Sequence, residues 1–581
     1  MGSNCDTAAD EWVRLGCDRS GSNCERLGYP CSCNGDWAWT ADLPVVADPF
    51  KGSNGMRRKV GTLDLDRWLL PLLILNLLVW VVARFISDTN LDPYGDMLEN
   101  FAWGQEFSWG THKHPPLIGW VTALWFSILP RNDTAYHLLS YLNVLLGLVG
   151  VYRVAIVLGF ARVAVPTVLL LAMALPYSTL AVKFNANAIL LSLWPWVVFG
   201  WLKSQQETDT NVNTWTILFG VLGGLALLGK YYSGVLMVGL LLASFSSKDG
   251  RHWLKSYKPW LSGIVFTLIL TPHLLWLFDN SFISFAYIAA QSENRAPYRA
   301  LLKFAFVPWL YWLIPLLICA WIGTRQEQSV IARIRRFFKN LVLAWYCRGW
   351  NDTLFWMVML PWLLTLLFGT LGFVTLSLPW AIPLGFGFPL LWIRNLWQAE
   401  GDVMANYSGS ILRIFCVWLA LILIVSPIFA VFEAKRESAN YYRPRAEAAE
   451  AIIQKWQETL PDNELHWVGG QWAENGLVAF YGNPEIKILP GLPDSEAAAA
   501  VSSLDWRRKP GLILCPRRKA ATPPPFSCPR DTTSWLEENS LPVRTIEVRV
   551  QKNGFRFPVE WEFEYLGYIY LPKEGRTVDD S

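Results

Sequence analysis

Apolar and polar positions alternate on a long scale over residues 67–432. Twelve apolar runs recur there, at roughly 67–86, 115–130, 135–158, 162–178, 186–203, 213–229, 231–247, 258–277, 302–323, 353–370, 374–394 and 409–432. A helix needs roughly 20 apolar residues to cross ~30 Å of hydrocarbon, and most of these runs meet or approach that length. After residue 432 the period shortens. "RPRAEAAEAIIQKWQETL" predicts an amphipathic helix, and "LHWVGG", "EIKIL", "GLILC", "TIEVRV" and "GYIYL" predict short strands. The pattern predicts an all-α polytopic membrane protein over 56–432, followed by a soluble α/β domain over 433–581.

The polar segments between the runs fix the number of crossings. Short loops on the cytoplasmic side carry an excess of Lys and Arg. "TRQEQSVIARIRRFFKN", with Arg325, Arg333, Arg335, Arg336 and Lys339, is the most basic loop, and "SSKDGRHWLKSYK", "GFARVA" and "WLKS" lean the same way. Arg57, Arg58 and Lys59 place the chain before the first run inside as well. If all twelve runs cross, these loops fall on opposite sides. Removing 115–130, which begins with two prolines and is short, puts every one of them inside. The expectation is eleven crossings, with 115–130 a juxtamembrane or half-inserted helix, the N-terminus inside and the C-terminal domain outside.

Composition agrees with the membrane assignment: the 581 residues are 53% hydrophobic, 14% aromatic and 17% charged, with 33 tryptophans. A net charge of +3 says little about partners, and no basic cluster resembles a nucleic-acid footprint. Five cysteines, Cys5, Cys17, Cys24, Cys31 and Cys33, crowd a start that matches no zinc spacing. Residues 1–55 read as a disordered tail or an upstream extension, with Met56 the natural start, and contain no apolar segment of the secretory type. Cys515 and Cys528 are able to pair in an oxidising compartment.

Ionisable chemistry gathers in the first outer loop, "DMLENFAWGQEFSWGTHKHPPLIGW", from Asp96 to Trp120. Helical spacing puts Asp96, Glu99 and Trp103 near one face of a helix expected to lie along the membrane surface, with Phe101, Trp103, Phe107 and Trp109 in the interface. A chain turning back at Pro115-Pro116 brings Lys113 and His114 towards Asp96. Such a carboxylate beside cations at a lipid surface suits a lipid phosphate: the cations neutralise a leaving phosphate, and the carboxylate takes a proton from an attacking hydroxyl or amine. Lys230, followed by Tyr231, lies between two apolar runs and is a candidate phosphate contact, with snorkelling to the interface as the alternative. Arg295 and Arg299 are candidates for phosphate or lipid headgroups, and His273, after Pro272, for metal ligation or a plain structural hydrogen bond.

The pattern D-x-x-E…W…WG-x-x-KHPPL-x-x-W on the first outer loop resembles the GT-C membrane glycosyltransferases. It is most similar to the bacterial glycosyltransferase family 39 and aminoarabinose-transferase-like group, related to protein O-mannosyltransferases. "VKFNANAILLSLWPW", "GLALLGKYYSG", "TPHLLWLFDNSF" and "LSLPWAIPLGFGFP" extend the resemblance, which covers about 60–581. It implies a polyprenyl-phosphate-linked sugar donor and a lipid, glycan or protein acceptor on the periplasmic face of a bacterial inner membrane. It also implies Asp96 and Glu99 as the acidic catalytic residues, and Lys113 and His114 as contacts to phosphate or to a divalent metal ion. Two features depart from the pattern. Asn185 and Asn187 stand where many relatives carry a second-loop Asp, and Lys113-His114 replaces the Glu-Lys pair of the aminoarabinose transferases. Inverting single displacement is the expected reaction. The competing readings are a lipid-linked sugar flippase or transporter and a degenerate, non-catalytic relative. The chain has no internal repeat and its charges collect at one face, which counts against a transporter.

Overall fold

A computed structural model describes residues 65–87, 90–207, 213–293, 297–397, 402–434, 443–516, 528–551 and 562–572. The chain is mostly helical. Among the described residues six helices are long and apolar enough to cross a membrane: Asp66–Ser87, Asp133–Val157, Lys258–Asp279, Pro297–Ile322, Thr353–Thr370 and Asn406–Glu433. A seventh span is available if Ala161–Ala172 and Leu175–Val182, bent by 81°, act together. Leu190–Gln206, Thr214–Gly229 and Ser233–Ser244 are apolar but shorter. The expected run at 115–130 becomes a helix of only 10 residues, Leu117–Phe126, or about 15 Å, half of a hydrocarbon core. The expected span at 374–394 is broken into a 3-10 turn at Leu378–Ala381 and a 9-residue helix at Phe388–Leu396.

The bend after Ala172 has a local cause and a consequence for the site. Pro176 cannot donate a backbone hydrogen bond, and it disfavours helical backbone at Leu175, so the helix ends. The chain re-forms as two 3-10 turns, Leu175–Tyr177 and Leu180–Val182. This irregular leg delivers Lys183, Asn185 and Asn187 to the first loop instead of carrying them into a straight span.

Residues 443–572 contain a five-stranded sheet. Its strands are β1 (Trp467–Gly470), β2 (Lys487–Pro490), β3 (Gly511–Pro516), β4 (Arg544–Gln551) and β5 (Glu562–Tyr570), in spatial order β2-β1-β3-β5-β4. β1 runs parallel to β2 and β3, while β5 runs antiparallel to β3 and β4. Trp467, Ile513, Trp535, Leu536 and Tyr568 fill one core. A disulfide between Cys515 and Cys528 ties β3 to the Cys528–Glu538 helix.

This region packs on the first loop. The helix Asp96–Gln105 lies between Leu117–Phe126 on one side and Trp472–Leu477 on the other, and residues 97–104 are all buried. That corrects the expectation that all its aromatics rest in the membrane interface. Phe107 and Trp109 are exposed, but Phe101 and Trp103 turn inward, Phe101 against Phe480 and Trp103 against Trp472. Polar anchors finish the contact: Gln105 donates to the carbonyls of Pro484 and Ile486, and Lys487 pairs with Glu106 at 2.7 Å.

A close backbone approach falls at Gly95, whose φ of +83° favours glycine and where a Cβ would stand 2.8 Å from the Ala473 nitrogen. Strain of this kind costs on the order of 1–3 kcal/mol. Gly95→Ala should therefore lower the thermal midpoint of the full-length protein in detergent and weaken activity, since residue 96 follows directly. An unchanged midpoint would mean that the contact with Ala473 does not constrain this turn.

Candidate active site

A cavity of about 480 Å³ opens where the first loop, the 183–187 segment, the 230–232 turn and the 374–380 loop meet. Asp96 and Glu99 reach it from successive turns of one helix, and Lys113, His114, Lys230 and Tyr231 line it from other elements. Six of the nine candidates thus converge. His273 sits behind Tyr231. Arg299 lines an adjoining cavity of about 440 Å³ with Lys303, and the two cavities share Ser377 and Pro379 as a wall. Arg295 lies outside the described residues.

The helix that carries both acids is organised by Asp92. Its carboxylate accepts from the backbone N–H groups of Tyr94, Asp96 and Met97, satisfying donors that a helix start leaves open. The Asp92 carbonyl in turn accepts from the buried guanidinium of Arg445 at 2.9 Å, in the C-terminal region. The turn that sets Asp96 is therefore clamped from both ends of the sequence.

Asp96 is 28% exposed and Glu99 is 3% exposed, and each is paired with a lysine. Lys183 lies 2.8 Å from Oδ2 of Asp96 and 3.6 Å from Asp92, and the Asn185 amide donates to the same Oδ2 at 3.0 Å. Asn185 is itself fixed, because its Oδ1 accepts from the N–H groups of Asn187 and Ala188. Burial opposes ionisation of Asp96, but the charges of Lys113 and Lys183 and the hydrogen bonds from Lys183 and Asn185 outweigh it and hold its carboxyl at about 2. Asp96 is thus a carboxylate at any physiological pH, with both of these side-chain contacts on one oxygen.

Glu99 has the opposite balance. Lys113 lies 2.8 Å from its Oε2, while Oε1 is buried and meets no hydrogen-bond partner. Burial pushes this carboxyl up to about 7 even though Lys113 pulls it down, and Asp96 adds to the rise. For Lys113 the attraction of Glu99 and Asp96 exceeds the cost of burial, so it stays charged. Burial, together with the charges of Lys230 and Lys113, holds His114 well below its usual range. His114 therefore faces the cavity as a neutral ring and offers hydrogen bonding in place of charge.

Lys230 is buried, bonds the side-chain oxygen of Asn187 and lies 5.6 Å from the centre of the Trp380 ring. His273 uses both ring nitrogens: Nδ1 donates to the Trp109 carbonyl at 2.6 Å and Nε2 accepts from the Tyr231 hydroxyl at 2.9 Å. A carbonyl only accepts, which fixes this tautomer. His273 orients Tyr231, and no nitrogen is left for a metal ion. Among the described residues no group of three or more His, Cys, Asp or Glu side chains is placed to hold a metal. The acids of the cavity already face lysines, so this donor set does not fit a divalent ion.

Sequence reasoning missed Lys183, Asp92 and Trp380. Lys183 was legible in part, since "VKFNANA" places a lysine at an apolar boundary beside the two asparagines. Asp92 was not, because a carboxylate that caps its own helix has no distant sequence signal. Trp380 sits in what reads as a continuous apolar run.

Against known proteins, residues 113–276 match the family model described as dolichyl-phosphate-mannose-protein mannosyltransferase. The crystal structure of ArnT from Cupriavidus metallidurans bound to undecaprenyl phosphate superimposes with a TM-score of 0.51 at 14% identity, covering 87% of this chain and 98% of that one. The apo form of the same protein gives 0.51 at 15% identity over the same shares. An oligosaccharyltransferase of Archaeoglobus fulgidus, in complex with Zn and sulfate, aligns at a TM-score of 0.42 and 11% identity, over 77% of this chain and 67% of that one. No curated protein matches the chain in sequence. The fold is that of the GT-C membrane glycosyltransferases, as the first-loop motif implied, and the chain is a multi-pass membrane protein.

The Glu99 environment has a spectroscopic consequence. Its folded value lies above the ordinary value of 4.5, so the buried charge opposes folding increasingly as pH rises from 4.5 towards 7. Infrared titration should show a protonated-carboxyl carbonyl band that disappears as pH rises through about 7 and loses part of its intensity in Glu99→Gln, the remainder belonging to Glu474, which burial also pushes up to about 7. A band of undiminished intensity in Glu99→Gln would assign it elsewhere.

Proposed function

We propose that this protein is a glycosyltransferase that moves a sugar from a polyprenyl-phosphate carrier to an acceptor on the outer face of a bacterial inner membrane. The observation that carries this reading is the set of lysines around one ionised carboxylate: Lys113 and Lys230 line the same small chamber as Asp96, and Lys183 pairs with Asp96 from beside it. Cations gathered in so little space are costly unless anions share it, and burial together with the Lys113 charge pushes Lys230 down to about 7 in the empty site. Asp96 and Glu99 answer two of them. Lys230 leans on an amide and an indole ring, neither of which carries charge, and a donor phosphate would complete the balance. The bound lipid of the ArnT structure, undecaprenyl phosphate, has this chemistry.

The reaction balances with these groups alone. The acceptor oxygen attacks the anomeric carbon from the face opposite the phosphate, and the bond from that carbon to the phosphate oxygen breaks. Polyprenyl phosphate leaves as an anion held by Lys230 and Lys113 and needs no prior protonation. The acceptor proton passes to the Asp96 oxygen not engaged by Lys183 and Asn185. At about 2, Asp96 is a weak base in the empty site. Its first role is to orient the hydroxyl, and its basicity rises when phosphate shares the lysines. The displacement inverts the anomeric centre. Lipid A, a glycan or a protein side chain each supplies a suitable nucleophile.

The same reading puts the N-terminus in the cytoplasm and makes residues 433–581 a periplasmic domain. The Cys515–Cys528 bond supports an oxidising compartment for that region. Its contact with Asp92 through Arg445 gives it a structural part in the site besides any role in receiving the acceptor.

Asp96→Asn in membranes supplied with labelled polyprenyl-phosphate sugar should lower transfer by about 10²–10⁴, the usual contribution of a positioned acid–base group. Retention of binding to the lipid phosphate would show that the fold survives. Transfer at the wild-type rate would remove Asp96 from the chemistry and favour a transporter or a non-catalytic role.

A further inference from the structure

Between the spans Pro297–Ile322 and Thr353–Thr370 the chain forms a 14-residue helix, Val330–Leu343. Its sequence, VIARIRRFFKNLVL, contains Arg333, Arg335, Arg336 and Lys339 and no acid. Ser329 caps its start by accepting from the Ala332 N–H at 3.1 Å. One side is fastened to the bundle. Asn340 is fully buried and donates to the Ala320 carbonyl at 2.9 Å, Phe337 meets the Trp321 ring edge-on, and the Arg333 guanidinium lies 5.6 Å from that ring.

The other side is apolar and uncovered. Ile331, Ile334, Phe338 and Val342 follow helical spacing and are 78%, 47%, 62% and 76% exposed. Arg335 and Lys339 are exposed along the flank of the same stripe. The stripe is about 16 Å long at 1.5 Å per residue. The helix is too short and too charged to cross a bilayer, yet it joins one spanning helix to the next and so is held at the bilayer surface. The spans on either side of it separate it from Tyr287 and from the 374–380 loop, both of which line the Asp96 cavity. It therefore lies at the opposite membrane face from the candidate active site.

We propose that Val330–Leu343 lies in the plane of that leaflet and is a binding surface for anionic phospholipid. Ile331, Ile334, Phe338 and Val342 enter the acyl region, while Arg335 and Lys339 reach the headgroup phosphates. Three observations select this occupant. The stripe is continuous in the chain with lipid-crossing helices at both ends, the flanking charges are all positive, and no acid on the helix competes for them. In-plane amphipathic helices with basic flanks bind in this way, by apolar insertion combined with attraction to anionic headgroups. The surface is distinct from the Asp96 cavity and does not depend on the reaction assigned to it.

The test uses the full-length protein in two measurements. In native mass spectrometry with mixed dioleoyl phosphatidylglycerol and phosphatidylcholine, the wild type should retain the anionic lipid preferentially. Arg335→Gln with Lys339→Gln should reduce that preference by about fivefold per cation removed, with the effect fading as salt rises. Both side chains are exposed, so the thermal midpoint in detergent should not move. In membranes, p-benzoylphenylalanine placed at Phe338 should crosslink to lipid. Equal retention of the two lipids by wild type and double variant would overturn the anionic preference. Crosslinking of position 338 to a protein would show that the stripe is a protein-docking face and would overturn the proposal outright.

Discussion

The structure is organised around an ion-pair network that the membrane environment makes expensive to disturb. Asp96 with Lys183, and Glu99 with Lys113, set two ion pairs side by side, three of the four groups lining one cavity. Removing one partner of a buried pair typically costs about 3–5 kcal/mol, because the other charge is left uncompensated. The surrounding chain is shaped to hold them. Pro176 ends a helix so that the bent chain delivers Lys183 and Asn185 to the first loop. Asp92 caps the helix that carries both acids, and Arg445 fixes the Asp92 turn from the far end of the sequence. A residue of the C-terminal region, at the start of the helix Arg445–Thr459, thus helps to set the Asp96 carboxylate.

The two acids are only three positions apart, yet their environments separate them chemically. Asp96 receives two side-chain hydrogen bonds and lies within reach of two lysine charges, which outweigh its burial. Glu99 receives one lysine and buries its other oxygen without a partner. One carboxyl is thereby kept ionised and the other is poised to change state near neutrality. Asn185 contributes to this division. An amide donates to Asp96 where a second carboxylate would repel it, so the departure from the second-loop Asp of many relatives is compatible with a single working acid.

Much of this was legible in the sequence, for identifiable reasons. The five strands and the helix after residue 443 follow their apolar periodicity, and the Cys515–Cys528 pair is joined. The first-loop motif led to the right fold because its charged residues stand out against apolar surroundings, and six of the nine candidate residues meet in one cavity. What escaped was whatever depends on chain direction changes inside apolar sequence. The run at 374–394 reads as a span, but it is a turn and a short helix that present Trp380 to Lys230. Phe101 and Trp103 read as membrane-interface aromatics, but they pack against Phe480 and Trp472, partners almost 400 residues away. His273 reads as a potential metal ligand, but in the fold both of its nitrogens are already engaged.

The central claim is that the lysines around Asp96 form the seat of a lipid-linked phosphate. Titration of the purified protein with undecaprenyl phosphate, followed by native mass spectrometry, measures this without requiring the sugar or the acceptor to be known. Lys230→Met should weaken binding about tenfold or more, in keeping with the roughly 1.5–3 kcal/mol of a charge-assisted hydrogen bond, while leaving the Asp96 and Glu99 pairs in place. Equal binding by wild type and Lys230→Met would contradict the account, because the one cavity lysine with no acid beside it would then have no anion to hold.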